Sequence, residues 1–104
     1  MMDELVAKFL PRFGTLARER LRRALDSASS RRHESAPDII HDMHALAGEA
    51  GLLGLERVTG VARTAEAAAK RYRDSRADGD AAGLVACLER LSTEVSEALA
   101  ETAS

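Results

Sequence analysis

The stretch SAPDIIHDMHALAGEAGLLGLERVTGVARTAEAAAKRYR, residues 35–73, holds two helical patterns in immediate succession. Ser35 is placed to cap the first, Pro37 fits its first turn, and Asp38 stands three residues after the cap. Ile39, Met43, Leu46, Ala50 and Leu53 follow at three- and four-residue intervals, which puts them on one stripe of a helix. Gly54 is a natural stop, because glycine closes a helix in the left-handed conformation at no steric cost. The second pattern runs from Leu55 to about Arg73, with a stripe of Leu55, Val58, Ala62, Ala65, Ala69 and Tyr72. Its small residues would let neighbouring helices approach closely.

Outward from this pair, the same period continues. Downstream, SRADGD (residues 75–80) reads as a turn, with Asp80 placed to cap a last helix whose seam is Leu84, Leu88, Leu91, Val95 and Ala98. Upstream, SSRRHES (residues 29–35) reads as a polar loop. Before it, Phe13, Ala17, Leu21, Ala24 and Ala28 form a stripe over about Arg12 to Ser29, with Arg18, Arg22 and Arg23 off it. A short first segment, about Asp3 to Leu10, is separated from that helix by Pro11, which ends the one or opens the other. Four long helices with short connections favour an antiparallel up-down four-helix bundle, with the short additional N-terminal helix lying over one end. The whole chain, residues 1–104, reads as a single domain.

Composition agrees and narrows the function. At 104 residues and 45% hydrophobic, with 3% aromatic, two prolines and seven glycines, the chain can bury one helical core. A net charge of −2 and a pI of about 5.9 disfavour a surface built to wrap nucleic acid. Cys87 has no second cysteine with which to form a disulfide or a thiolate metal site. No apolar run reaches the ~18 residues that span a bilayer, and the acidic start MMDELVAKFL is unlike a secretory signal. These features predict a cytoplasmic protein with no membrane or nucleic-acid partner, and a monomer. The opening methionine and compact ends suit a standalone protein. Neither G-x-x-x-x-G-K-[ST] nor G-x-G-x-x-G occurs, so no cofactor is expected and a self-contained kinase is not.

One passage does not fit a plain bundle: HDMHALAGEAG, residues 41–51. With His44 at zero on a wheel of about 100° per residue, Gly48 falls about 40° to one side and Gly51 about 20° to the other. Leu46, Ile39, Ala50, Met43 and Leu53 cluster roughly 140° away. His44 therefore faces solvent on a surface stripped of side chains. Each glycine inside a helix costs about 1 kcal/mol relative to alanine, and alanine is abundant in this chain. The glycines either serve close helix packing or let a phosphoryl group or a partner's backbone reach the imidazole.

These residues resemble the histidine-containing phosphotransfer (HPt) domain, whose core pattern is H-x-L-K-G-x-x-x-x-L-G. His44, Leu46, Gly48, Leu53 and Gly54 match in register, and Leu55-Glu56-Arg57-Val58 and Ala65-Glu66 resemble the usual continuation. The resemblance implies that His44 is the phosphoacceptor, taking a phosphoryl group from a receiver-domain aspartate or a sensor or hybrid histidine kinase and passing it to a response-regulator receiver. Such a protein is a carrier rather than an enzyme, and Mg²⁺ belongs to the partner receiver. Glu66 matches a glutamate that orients the histidine in some members; it could equally be a solvated surface carboxylate. The family lysine is replaced by Ala47, and Arg63, one turn before Glu66, is a candidate substitute for its charge. The expected docking face is Ile40, His41, Ala47, Gly48 and Gly51, with Ala47 making it flatter and more apolar. Leu5 or Phe9 of the first helix could extend it, although Phe9 also suits a role closing the core.

Three other readings compete. A receiver-binding module that carries no phosphate rests on Ala47 alone. Asp38, His41 and His44 share one helix with spacings that metal-binding bundles use, but His44 points outward. The stretch from Gly54 to Tyr72 superficially resembles a DNA-reading helix-turn-helix, against the acidic balance of the chain.

Overall fold

The computed structural model describes residues 4–103. It contains four long helices: α1 (Glu4–Ser29), α2 (Ala36–Leu52), α3 (Glu56–Ser75) and α4 (Asp78–Ala103), with a single 3₁₀ turn at His33–Ser35. There is no strand among the described residues. The bundle measures 45 × 18 × 17 Å. None of its described helices is long and apolar enough to cross a membrane.

The expected short N-terminal helix is corrected: α1 passes through Pro11 without a break. Proline removes the N–H that would bond the Ala7 carbonyl, but both residues lie on the exposed face, so the freed carbonyl is not buried without a partner. The hydroxyl of Thr15 donates to the Pro11 carbonyl at 3.2 Å. Leu10, Phe13, Gly14, Ala17, Leu21, Ala24 and Ala28 are buried in one continuous stripe, so the core face stays in phase across the proline. Asp3, the expected first residue, lies outside the described residues.

Two expected caps are also corrected. Ser35 occupies the cap position of α2 but has helical dihedrals (φ −86°, ψ −6°) and makes no side-chain cap bond. The 3₁₀ turn runs straight into α2, leaving no extended residue from which a hydroxyl could reach back. Asp80 lies inside the first turn of α4, which starts at Asp78. Its carboxylate instead accepts from the Ser75 hydroxyl, tying α4 to the end of α3.

Gly54 ends α2 as expected. At φ +73° it takes the left-handed conformation, its N–H donates to the Gly51 carbonyl at 3.1 Å, and the Leu55 N–H donates to the Ala50 carbonyl at 2.9 Å. This pair of bonds is the Schellman closure, and it folds α3 back along α2 within three residues, 53–55.

Met43, Leu46, Val58, Leu84, Leu88, Leu91 and Val95 fill the centre of the core. Each such side chain contributes about 1.5–3 kcal/mol of burial. α3 adds mostly alanine (Ala62, Ala65, Ala68 and Ala69) and packs extensively on both α2 and α4. α1 packs more on α4 than on α2, and Gly14 receives Leu99 so closely that an added Cβ would lie 2.8 Å from its Cδ1. Polar ties fasten the rest. Arg20 pairs with Glu49 at 2.6 Å and Arg23 with Asp42 at 3.6 Å between α1 and α2. Arg57 faces Glu94, Glu97 and Glu101 between α3 and α4. At the opposite end Arg31 pairs with Asp78 at 2.7 Å, which holds the Asp78 carboxyl below its ordinary range.

Gly54→Ala places a Cβ in the left-handed region and is expected to cost about 1–2 kcal/mol in denaturant unfolding. Gly60→Ala, within α3 and with open space around the new methyl, should shift the midpoint the other way.

Candidate functional site

The apolar stripe of α2 decides where His44 points. Ile39, Met43, Leu46 and Ala50 are buried against the other helices, so the opposite face is left to solvent, and the His44 side chain is 78% exposed. Gly48 and Gly51 share that face and are exposed. A Cβ built at Gly48 meets nothing within 4 Å, and one at Gly51 meets only the Thr59 hydroxyl at 3.9 Å. Close helix packing therefore does not account for these glycines. They leave bare backbone beside an exposed imidazole.

The turn at Gly54 brings α3 alongside. His44 Nδ1 lies 3.4 Å from Glu66 Oε1, and the Glu66 side chain is only 16% exposed. This is charge-contact range, a little beyond a hydrogen bond of about 2.7–3.2 Å, and such contacts commonly tighten when a site is engaged. A proton held on Nδ1 toward Glu66 leaves the lone pair on Nε2, turned away from the carboxylate. The other Glu66 oxygen, Oε2, lies 3.3 Å from Lys70 Nζ. Arg63, one turn before Glu66, lines a recess of about 440 Å³ together with His44, Ala47, Gly48 and Glu66. Arg63 forms no ion pair among the described residues.

The expected docking residues divide. His41, Gly48 and Gly51 are exposed, while Ile40 is half-buried and packs on the core. Ala47 is corrected: at 4% exposure it belongs to the core edge and to the wall of the recess, because it turns toward α3. Phe9 is corrected as a core-closing residue, since Leu10 and Phe13 are buried there and Phe9 stays exposed beside Leu5. Leu52, 88% exposed, joins them across a groove lined by Phe9, Arg12, Phe13, Leu16, Glu49 and Leu53.

Sequence reasoning missed Leu52 and Lys70. Leu52 sits off the apolar stripe, at about 80° from His44 on the wheel, which already marks it as an outward leucine. Lys70 follows Glu66 by four residues, the spacing at which a glutamate and a lysine meet on one helix face. Asp38, His41 and His44 do not assemble as a metal site. No group of three histidine, cysteine or acidic side chains converges in that way among the described residues. Asp38 instead lines a recess with Arg23, Ser35 and Asp42.

Comparison with curated proteins and with solved structures gives no match. The family model of the Hpt domain matches residues 4–101, nearly the full length of the chain. That span takes in α1, α2, α3 and all but the last two residues of α4, with the exposed histidine and its bare flank, and the chain belongs to the Hpt domain family.

Proposed function

We propose that this chain is the phosphocarrier of a two-component relay, with His44 as the residue that is phosphorylated. The observation that carries the reading is the placement of His44: exposed, cleared on one side by Gly48, and faced at Nδ1 by a carboxylate that leaves Nε2 outward. Membership of a family that serves phosphotransfer in two-component signalling supports it. The carrier works on an antiparallel up-down bundle in the cytoplasm. Contacts of His44 with Glu66, of Arg57 with Glu101 and of Arg31 with Asp78 support that arrangement.

Phosphoryl transfer depends on positioning and charge neutralisation more than on covalent machinery. The donor is the acyl phosphate of a receiver aspartate, or a sensor or hybrid histidine kinase. The Nε2 lone pair attacks phosphorus in line with the bond to the aspartyl oxygen. That bond breaks, its electrons leave on the aspartate carboxylate, and the phosphoryl group rests on Nε2. Nδ1 keeps its proton, and Glu66 balances the positive charge the ring acquires. Arg63, lining the same recess, supplies the cation that Ala47 cannot. Onward transfer to a response regulator reverses these steps. Mg²⁺ is the receiver's contribution. Docking uses His41, Gly48 and Gly51 directly, with Ile40 and Ala47 beneath them and Leu52, Phe9 and Leu5 alongside.

Incubation with a phosphorylated receiver and Mg²⁺ should place acid-labile, base-stable phosphate on the wild-type protein and none on His44→Gln. Equal labelling of the two sinks the reading, and receiver binding without any label assigns the chain to non-transferring receiver modules. Arg63→Ala is expected to slow labelling by about tenfold, less than the roughly 10²–10³-fold lost with a water-excluded donor to a developing charge, because Arg63 is exposed. Gly48→Ala should raise unfolding stability by about 1 kcal/mol and yet slow transfer, since its methyl occupies the approach to His44. A variant both more stable and equally fast would show that the bare face is not needed.

A further inference from the structure

The Glu66 carboxylate has a partner at each oxygen. Oε1 faces His44 Nδ1 at 3.4 Å and Oε2 faces Lys70 Nζ at 3.3 Å. The two partners differ in what they can supply. The nucleophilic form of His44 is the neutral imidazole, which carries no charge to offset a carboxylate. Glu66 is largely withdrawn from water, its side chain 16% exposed, and a carboxylate so placed needs a cation nearby. Arg63 lines the recess but does not pair with Glu66. Lys70 does, from half-exposed solvent, with glutamate N-terminal to lysine four residues on, the favourable order for a helix.

Orientation follows from the same contacts. A glutamate carboxylate turns freely about its last torsion, and among the described residues the exposed His44 ring has no hydrogen-bond or ion-pair partner besides Glu66. Fixing Oε2 against Lys70 aims Oε1 at Nδ1. We infer that Lys70 is a positioning residue of the His44 site: it holds Glu66 by one oxygen so that the other keeps the imidazole proton on Nδ1 and the lone pair on Nε2. The inference rests on His44 being the phosphoacceptor. The contact of Lys70 at this site is with Glu66 Oε2, and it acts on the ring through that carboxylate.

The experiment combines a tautomer measurement with a double-mutant cycle. Imidazole nitrogen shifts of His44, recorded on the unphosphorylated protein without a partner, should show the proton on Nδ1 in wild type and a loss of that preference in Lys70→Ala. Lys70→Arg should restore it. Phosphorylation by a labelled receiver should slow about 3–10-fold in Lys70→Ala, and the Glu66→Ala/Lys70→Ala double variant should be no slower than Glu66→Ala alone. An unchanged tautomer preference in Lys70→Ala, or a double variant slower than Glu66→Ala, overturns the inference. Failure of the carrier reading looks different: wild type then takes no label, while the tautomer measurement still tests Lys70.

Discussion

The distance between α2 and α3 governs the rest of the molecule. Ala47 and Ala50 on one helix, with Ala62, Ala65 and Ala69 on the other, present short side chains, so the two helices can lie close. A close pair shortens the reach from α3 to the outer face of α2. That is why a glutamate on α3 can extend past the seam to a histidine that otherwise belongs to solvent. With leucines along the seam, Glu66 would sit farther from His44. The hydrophobic volume that α3 forgoes is supplied by α4, whose Leu84, Leu88 and Leu91 fill the centre.

The bundle thus divides its labour by helix. α4 stabilises, α3 spaces and carries charge, and α2 presents the histidine. α1 covers the remaining side, packed chiefly on α4 and tied to α2 through Arg20–Glu49 and Arg23–Asp42. The glycines on α2 belong to the same division. They weaken the helix in isolation, and burial of Met43 and Leu46 on the reverse side offsets that cost.

Much of this is legible in the sequence, and the reasons are physical. The stripes of α2, α3 and α4 are readable because burial enforces a 3.6-residue period, and the residues that recur at that period are buried, except Leu53, Leu55 and Ala98 at the helix ends, which are partly buried against the core. His44, Gly48 and Gly51 stand out because they break the rule on the opposite face. The failures lie where local signals meet long-range context. Pro11 looks like a boundary from its own chemistry, yet an exposed proline in a helix whose stripe continues is tolerated. Ser35 looks like a cap, but a preceding 3₁₀ turn takes away the extended geometry that capping needs. Ala47 looks like surface by its neighbourhood to His44, though a rotation of about 60° around the helix is enough to turn it into the seam. Lys70 stands four residues after Glu66, but that spacing reads as an ordinary surface pair until Glu66 is placed beside His44.

The location of His44 halfway along α2, on a rod 45 Å long and about 18 Å across, has a consequence for traffic. A globular domain that reaches Nε2 from outside covers the middle of the rod and shuts the approach to any other. In the proposed relay, donor and acceptor must therefore take turns. The loaded histidine has to part from the first before it meets the second, so the phosphorylated state stands uncovered for an interval. The relay's fidelity then depends on how long that unaccompanied interval lasts compared with the next encounter.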